Sequence, residues 1–180
     1  GFETVGAPGG DEFEGGESFD HLNFEQLGAV LEAEEPGAWD EIQYSDDRKW
    51  TRAAAELLGQ SRMVKEAVSA YPAAQALLPI LDRTAVFSRV TLEELIAPHL
   101  ERTVDEMVAT ITSAGISPDD LAALYLVGGS SRIPLVTRMM TARFGDRVTT
   151  RDEPKSVVAL GAALIAGRLT DPALSRPRFR

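Results

Sequence analysis

The stretch L-V-G-G-S-S-R-I-P at residues 126–134 decides the fold. The apolar run at residues 124–127 predicts a short strand that is buried on both faces, as in parallel sheets. After the glycines, Pro134 takes the first position of a predicted helix that continues to Phe144, and proline favours that position. A buried strand that turns through glycines into a helix indicates an α/β fold. Ligands of open α/β sheets bind at the carboxyl ends of strands, where this turn lies.

The turn has the chemistry of a nucleotide site. Gly128 and Gly129 let the backbone approach a ligand without a Cβ atom, and N–H groups at the start of a helix attract anions. Ser130 and Ser131 add hydroxyl groups, and Arg132 adds a planar cation that can stack on a base. From the residues alone two interpretations stay open: a nucleotide-binding turn, and a tight strand–helix turn without a ligand.

The rest of the sequence predicts strands and helices in alternation, with a separate α+β lobe between residues 19 and 90. In this lobe we predict a helix from Phe19 to about residue 36 and a connection at residues 39–44. A second helix is predicted at 48–70, capped by Asp46 or Asp47. A hairpin follows, with strands at 75–81, which include Pro79, and at 84–90. The next predicted element is a helix that begins with a capping box at Thr91 and ends near Gly115, with an inward face formed by Leu95, Leu100, Val104, Val108 and Ile111. A strand at 148–150 and a helix at 157–169, packed through its alanines and glycines, follow later in the chain.

Charge is spread unevenly along the chain. The first 47 residues carry 14 acidic residues and neither lysine nor arginine, and the net charge of the chain is -10. Such a surface repels phosphates, so we expect no nucleic-acid binding, and we interpret it as a solvated acidic face or a docking surface for a basic partner. No apolar run approaches the ~20 residues of a membrane span, and the N-terminus lacks the pattern of a signal peptide. Because the chain has no cysteine, we expect a reducing compartment, the cytoplasm.

Four segments resemble, in order, the signatures of the DnaK-type 70-kDa heat-shock chaperones. They are G-G-E-S-F-D at residues 15–20, E-E-L at 93–95, L-V-G-G-S-S-R-I-P at 126–134, and E-P with V-A-L-G-A-A-L at 153–154 and 158–164. The resemblance implies an actin-like (ribonuclease H-like) α/β ATPase domain, of which the chain holds the C-terminal half, lobe II, with an inserted α+β lobe. The implied domains are residues 1–14 as a core segment of lobe II, 15–92 as the inserted upper subdomain, 93–170 as the α/β core subdomain, and 171–180 as a linker or tail.

The family implies a molecular chaperone that binds ATP or ADP between the glycine turn at residues 127–134 and a helix around residues 62–69. In that arrangement Gly129 and Ser130 lie against the ribose and phosphates, and Gly128 belongs to the same binding turn. Arg132 would stack on one face of the adenine. The implied partners are the adenine nucleotide and a cochaperone or nucleotide-exchange protein on the inserted lobe.

On the helix, the family pattern E-x-x-K-R-x-L-S is matched only in part. Lys65 and Ser69 stand where the family holds the ribose and the adenine edge. Arg62 stands where an acid is expected, and Glu66 where a stacking base is expected, so the charges of these two positions are exchanged. Lys155 likewise replaces the acid of the final motif. An alternative hypothesis follows from these exchanges: a lobe that binds nucleotide weakly and serves as a protein-interaction module.

Catalytic groups are not expected in this chain. In the family, the lysine that polarises the phosphates, the magnesium ligands and two phosphate loops lie upstream, so we predict no catalytic residue and no metal ligand here, with Mg²⁺ bound only when the other half is present. We predict that His21 and His99 are solvated helix residues rather than zinc ligands. A sugar kinase or an actin-like filament protein would share the general scaffold but would not explain the glycine motifs together.

Overall fold

The computed structural model describes residues 4–11, 13–150 and 156–170, and the side chains as far as residue 167. It divides the chain into two compact units, residues 11–102 and residues 1–10 with 103–180. Within the described residues the architecture is mixed α/β with two small sheets of two strands each. The mixed fold class expected from the sequence is confirmed. The predicted motif at 153–154 and the predicted tail at 171–180 lie outside the described residues.

Helices and strands follow one another in both units. Residues 11–102 form α1 (Gly16–Glu34), α2 (Ala38–Tyr44), α3 (Arg48–Ala70), β1 (Ala73–Leu78), β2 (Arg83–Ser88) and the first part of α4 (Arg89–Ser113). The other unit contains the rest of α4, β3 (Leu124–Leu126), α5 (Pro134–Phe144), β4 (Val148–Thr150) and α6 (Val157–Thr170), with short 3-10 turns at Pro118–Asp120, Gly129–Arg132 and Gly145–Arg147.

Helix α3 is the central element of the first unit, and its predicted bounds are confirmed. The Asp47 carboxylate accepts a hydrogen bond from the Lys49 N–H at 2.8 Å and so satisfies one of the N–H groups left open at the helix start. Tyr71 and Pro72 follow its last residue, where proline prevents a further turn. The helix packs against α1 and β1, and its buried residues recur at helical spacing. They are Ala53, Leu57, Ser61, Val64, Lys65 and Val68.

The expected connection at residues 39–44 is wrong, because these residues form helix α2. The chain turns at Gly37, whose φ of 91° and ψ of -8° lie in the left-handed region that favours glycine. The Glu32 carboxylate then accepts hydrogen bonds from the N–H groups of Gly37 (2.8 Å) and Trp39 (3.0 Å). These two bonds, that of Gly37 first, lower the pKa of Glu32, with a small opposing effect of burial. A carboxylate from α1 thus stabilises the start of α2.

The hairpin of β1 and β2 is confirmed, but its strands are displaced from the predicted bounds. The strands pair antiparallel from Ala73 opposite Ser88 to Leu78 opposite Arg83. The first strand ends before Pro79, which cannot donate to a strand ladder and therefore lies in the turn. At the end of this turn, Asp82 has a φ of 49°.

Helix α4 begins at Arg89, two residues before the predicted capping box. The Ser88 hydroxyl accepts a hydrogen bond from the Thr91 N–H at 3.0 Å, so Ser88 takes the capping role that the sequence assigned to Thr91. Two residues of the predicted inward face, Leu100 and Val104, are buried as expected, whereas Leu95 is only partly buried and the fully buried Ile96 beside it was missed. Leu92, Ile96, Leu100 and Val104 are all buried at four-residue intervals.

The second sheet pairs β3 parallel to β4, with Leu124 opposite Val148 and Leu126 opposite Thr150. The expectation that β3 is buried on both faces is wrong. Leu126 is only 7% exposed, whereas the neighbouring Tyr125 is 59% exposed. Successive strand residues point to opposite faces, and among the described residues the Tyr125 face of this small sheet remains accessible.

Helix α6 forms as predicted, but it does not pack through its alanines and glycines. Among its described side chains, Ala159, Ala162 and Ala163 are exposed, and so are four large apolar residues. These are Val158, Leu160, Leu164 and Ile165. Among the described residues, no helix combines the length and the apolar character that a membrane span requires.

Candidate nucleotide-binding site

The glycine turn begins with a backbone conformation that only glycine adopts readily. Gly128 has a φ of 91° and a ψ of 167°, in a region that L-residues with a Cβ atom avoid. Within the part of the chain that the structure describes, a Cβ atom placed on Gly128 would meet no atom within 4 Å, so the space beside this residue is open. The conformation of the backbone, rather than crowding, therefore explains why glycine stands at this position.

Two hydrogen bonds within the turn stabilise its conformation. The Ser131 hydroxyl donates to the Gly128 carbonyl at 2.7 Å, and the Ile133 N–H donates to the Ser130 carbonyl at 3.0 Å. Ile133 itself is buried and anchors the turn to its unit. Gly129 and Arg132 are exposed, while Gly128, Ser130 and Ser131 are partly buried. The turn thus offers an accessible backbone and an exposed guanidinium on a rigid base.

Lys65 has a different environment from the rest of the predicted site. Its ammonium lies 2.5 Å from Asp20 Oδ1 and donates to the carbonyl of Gly16 at 2.5 Å. The Lys65 side chain is only 11% exposed, and that of Asp20 13%. A lysine that is this deeply buried requires a counter-charge, and Asp20 supplies it.

The other predicted residues of α3 lie near the surface. Arg62 and Glu66 are exposed, and Arg62 Nε lies 4.0 Å from Glu66 Oε1 across one helical turn. Exposed pairs of this kind contribute only about 0.3–0.5 kcal/mol. Ser69 is partly buried, and its hydroxyl donates to the Lys65 carbonyl at 2.8 Å. The oxygen lone pairs of Ser69 stay available to accept a further hydrogen bond.

Comparison with known proteins decides the family. The family model described as Hsp70 protein matches residues 1–175. The chain is 33% identical over 167 residues to the chaperone protein HscA homolog of Shewanella frigidimarina and 36% identical over 169 residues to that of Shewanella baltica (strain OS195). It is 34% identical over 165 residues to the chaperone protein HscA of Pectobacterium carotovorum.

The chain belongs to the Hsp70 family. The expectation of a 70-kDa heat-shock protein is therefore confirmed at the level of the Hsp70 family. These matches cover 92% of the present chain but only 24–25% of the length of each relative. The chain thus spans about a quarter of the length of the curated relatives it matches, and their name describes them as chaperones.

The predicted site residues of this protein are divided between its two units. Gly128, Gly129, Ser130 and Arg132 belong to the unit that contains β3 and α5, and the predicted residues of α3 belong to residues 11–102. Each contact described above is made within one unit. The structure brings the turn residues together as one motif and, separately, Lys65 with Ser69 on α3.

Asp20 and Gly16, the partners of Lys65, were missed as site residues by sequence reasoning. Both lie in the G-G-E-S-F-D segment, which served only to indicate the family. A signal was present, because Lys65 stands one residue after Val64 and three before Val68 on the buried face of α3. A lysine on an apolar face predicts a buried acidic partner nearby.

The prediction that His99 is a solvated helix histidine is wrong. His99 Nδ1 lies 2.8 Å from Glu14 Oε1, and the same carboxylate oxygen accepts a hydrogen bond from Arg102 Nη2 at 2.7 Å. Glu14 is largely buried. This cluster connects the segment before α1 to α4, a contact between residues 85 positions apart that local sequence patterns do not reveal.

Proposed function

We propose that this chain is the adenine-nucleotide-binding half of the ATPase domain of a DnaK-type chaperone. In this proposal it is the C-terminal half, lobe II, of an actin-like fold. Residues 1–14 and 93–170 form its core, residues 15–92 form the inserted α+β subdomain, and residues 171–180 form a linker or tail. The ligand is ATP or ADP.

The glycine turn is the observation that carries the proposal. It follows the carboxyl end of a parallel strand, the usual position of ligands in α/β sheets. Its first glycine has a backbone conformation restricted to glycine, and no described residue lies within 4 Å of its missing Cβ. A ligand can therefore approach the backbone of Gly128 and Gly129 closely, with Ser130 beside them. The exposed, planar guanidinium of Arg132 is suited to stacking on an adenine ring.

Helix α3 would contribute the remaining contacts. The buried Lys65 ammonium is suited to hydrogen-bond the ribose, and Ser69 can accept a hydrogen bond from the amino group of adenine. The exchanged pair Arg62 and Glu66 lies at the surface of the same helix. A carboxylate cannot stack on a base as a guanidinium does, so we propose that Glu66 contacts polar groups of the nucleotide or its own partner Arg62.

Hydrolysis requires groups beyond those in this chain. Mg²⁺ supplies charge neutralisation for the transferred phosphoryl group in such ATPases, and we propose that its ligands and the phosphate loops lie in the other half of the full-length protein. The chain itself would bind and orient the nucleotide without catalysing its hydrolysis. We further propose a cytoplasmic location and a cochaperone or nucleotide-exchange protein as the partner of residues 15–92.

The test is a calorimetric titration of ADP and ATP into the full-length protein and its Arg132→Ala variant. Loss of a stacked guanidinium should weaken ADP binding about 5- to 30-fold, since cation–π stacking on a desolvated ring is worth about 1–2 kcal/mol. Arg143→Ala is the matched control, because Arg143 is an exposed arginine on the far end of α5. It should leave ADP binding unchanged. Absence of ADP and ATP binding by the full-length protein would refute the proposal.

A second candidate function is a protein-interaction module that binds nucleotide weakly. The observation that favours it is the ion pair of Lys65 and Asp20, which uses a predicted ribose ligand for a contact inside the unit. The exchanged charges of Arg62 and Glu66 point the same way. The titration also separates these functions, because the module predicts no response of ADP affinity to Arg132→Ala.

A further inference from the structure

A short polar layer crosses the otherwise apolar contact between α1 and α3. Asp20 meets Lys65, and one turn along α1 the Asn23 side-chain amide donates to the carbonyl of Ser61 at 3.4 Å. Asn23 and Ser61 are fully buried. Polar groups in such surroundings are costly unless they are paired, so they fix how the two helices face each other.

The Lys65 ammonium is held by one hydrogen bond and one ion pair. One hydrogen bond goes to the carbonyl of Gly16, the first residue of α1, and the ion pair goes to Asp20 one turn later. Gly16 and Asp20 are four residues apart, so they lie on the same face of the helix. Apart from Lys65, Asp20 Oδ1 has no polar partner among the described residues. This oxygen therefore acts on the Lys65 ammonium.

We propose that Asp20 is a positioning residue that sets nucleotide affinity through Lys65. Through the hydrogen bond to Gly16 and the ion pair to Asp20, the ammonium is kept in one position for a ligand, and the flexible lysine side chain does not turn away. This inference rests on the proposed function, because it assigns a role within the same nucleotide site. Without the carboxylate, the ammonium is no longer fixed and the ligand must order it at the moment of binding.

A double-mutant cycle on the full-length protein tests the inference. ADP affinity is measured by calorimetry for the wild type, D20N, K65Q and D20N/K65Q, together with the melting temperature of each. We expect D20N to weaken ADP binding by up to about tenfold when Lys65 is present, the upper end of the usual cost of ordering one flexible side chain on binding. In the K65Q background, D20N should change ADP affinity less than twofold. This dependence on Lys65 is the result that a purely structural role would not produce.

Asn23→Ala is the matched control, because it removes the neighbouring polar contact between the same helices and leaves Lys65 and Asp20 in place. It should lower the melting temperature without changing ADP affinity. If D20N does not fold, Asp20→Glu keeps the charge but shifts the carboxylate by one methylene, and it should weaken ADP binding in the Lys65 background only.

The outcomes separate this inference from the proposed function. A wild type that does not bind ADP overturns both. Binding that D20N or Asp20→Glu leaves unchanged, or weakens equally in the K65Q background, overturns the positioning role alone. In that case Asp20 serves only to neutralise a buried lysine.

Discussion

Gly128→Ala should destabilise the glycine turn by about 1–3 kcal/mol through backbone strain alone. The φ of 91° and ψ of 167° at Gly128 are closed to residues with a Cβ atom, yet that atom would meet no neighbour within 4 Å. The cost is therefore not a collision that a neighbouring side chain could relieve. Gly128→Asn should cost as much, because asparagine tolerates the left-handed helical region but not this one.

Gly37 provides the control, because it has the same φ of 91° with a ψ of -8°, and its missing Cβ likewise has no neighbour within 4 Å. At that position the backbone lies in the left-handed helical region, so Gly37→Asn should cost well under 1 kcal/mol. The two glycines differ essentially in ψ. Comparing Gly128→Asn with Gly37→Asn therefore separates the strain of the Gly128 conformation from the general effect of replacing a glycine.

Hydrogen exchange of the full-length protein, followed by mass spectrometry over residues 124–144, measures the local effect. A loss of 1–3 kcal/mol should accelerate exchange in that segment about 5- to 150-fold for either Gly128 variant. ADP affinity should fall with it, because the turn leaves the geometry that lets a ligand reach its backbone. Exchange rates in both Gly128 variants that match those of the wild type would refute the conformational argument.

Three further predictions concern the helices of residues 11–102. Gly28→Ala should destabilise the protein, because the new methyl group would overlap the Trp39 ring at a cost of about 1–3 kcal/mol. The higher helix propensity of alanine offsets about 1 kcal/mol of this cost. Urea unfolding followed by tryptophan fluorescence measures the net loss of stability. Glu32→Gln should lower the melting temperature at pH 7. Because the pKa of Glu32 is lower in the folded than in the unfolded protein, the carboxylate stabilises the fold fully above its unfolded pKa, and this stabilisation is lost as the pH falls through the folded pKa. The melting temperatures of the wild type and the variant should therefore converge in acid. Asp47→Ala should cost about 1 kcal/mol in the same unfolding assay, whereas Asp47→Asn, which still caps, should cost little, and equal losses would contradict the capping role.

The elements predicted well are those whose signals are local. Helix α3 has a capping aspartate at one end, a proline after the other and an apolar stripe between them, so its bounds could be predicted to the residue. The start of α5 at Pro134 could be predicted equally well, because proline favours the first position of a helix. Helix α2 could not be predicted, because its start is stabilised by Glu32, a residue of the preceding helix.

Burial was predicted less well than secondary structure, because it depends on what covers a face. An apolar run at β3 indicates a strand, but whether both faces are covered depends on neighbours that the run does not encode, and Tyr125 is exposed. The same holds for α6, whose Val158 and Leu164 are apolar and yet exposed. For the site, the turn residues followed from their own sequence, whereas the pairing of Lys65 with Asp20 depends on the contact between two helices.

Arg62 and Lys65, the two basic residues of α3 that we propose to contact a nucleotide, differ in how easily they can move. Arg62 is exposed, and its pairing with Glu66 is worth only about 0.3–0.5 kcal/mol, so a ligand can displace it at little cost. Lys65 is buried, and removing its partner Asp20 would cost about 3–5 kcal/mol, which a nucleotide contact does not readily exceed. A nucleotide bound at α3 would therefore meet a fixed ammonium and a movable guanidinium. Substitution of Arg62 should then change ADP affinity without changing stability, whereas substitution of Lys65 should change both.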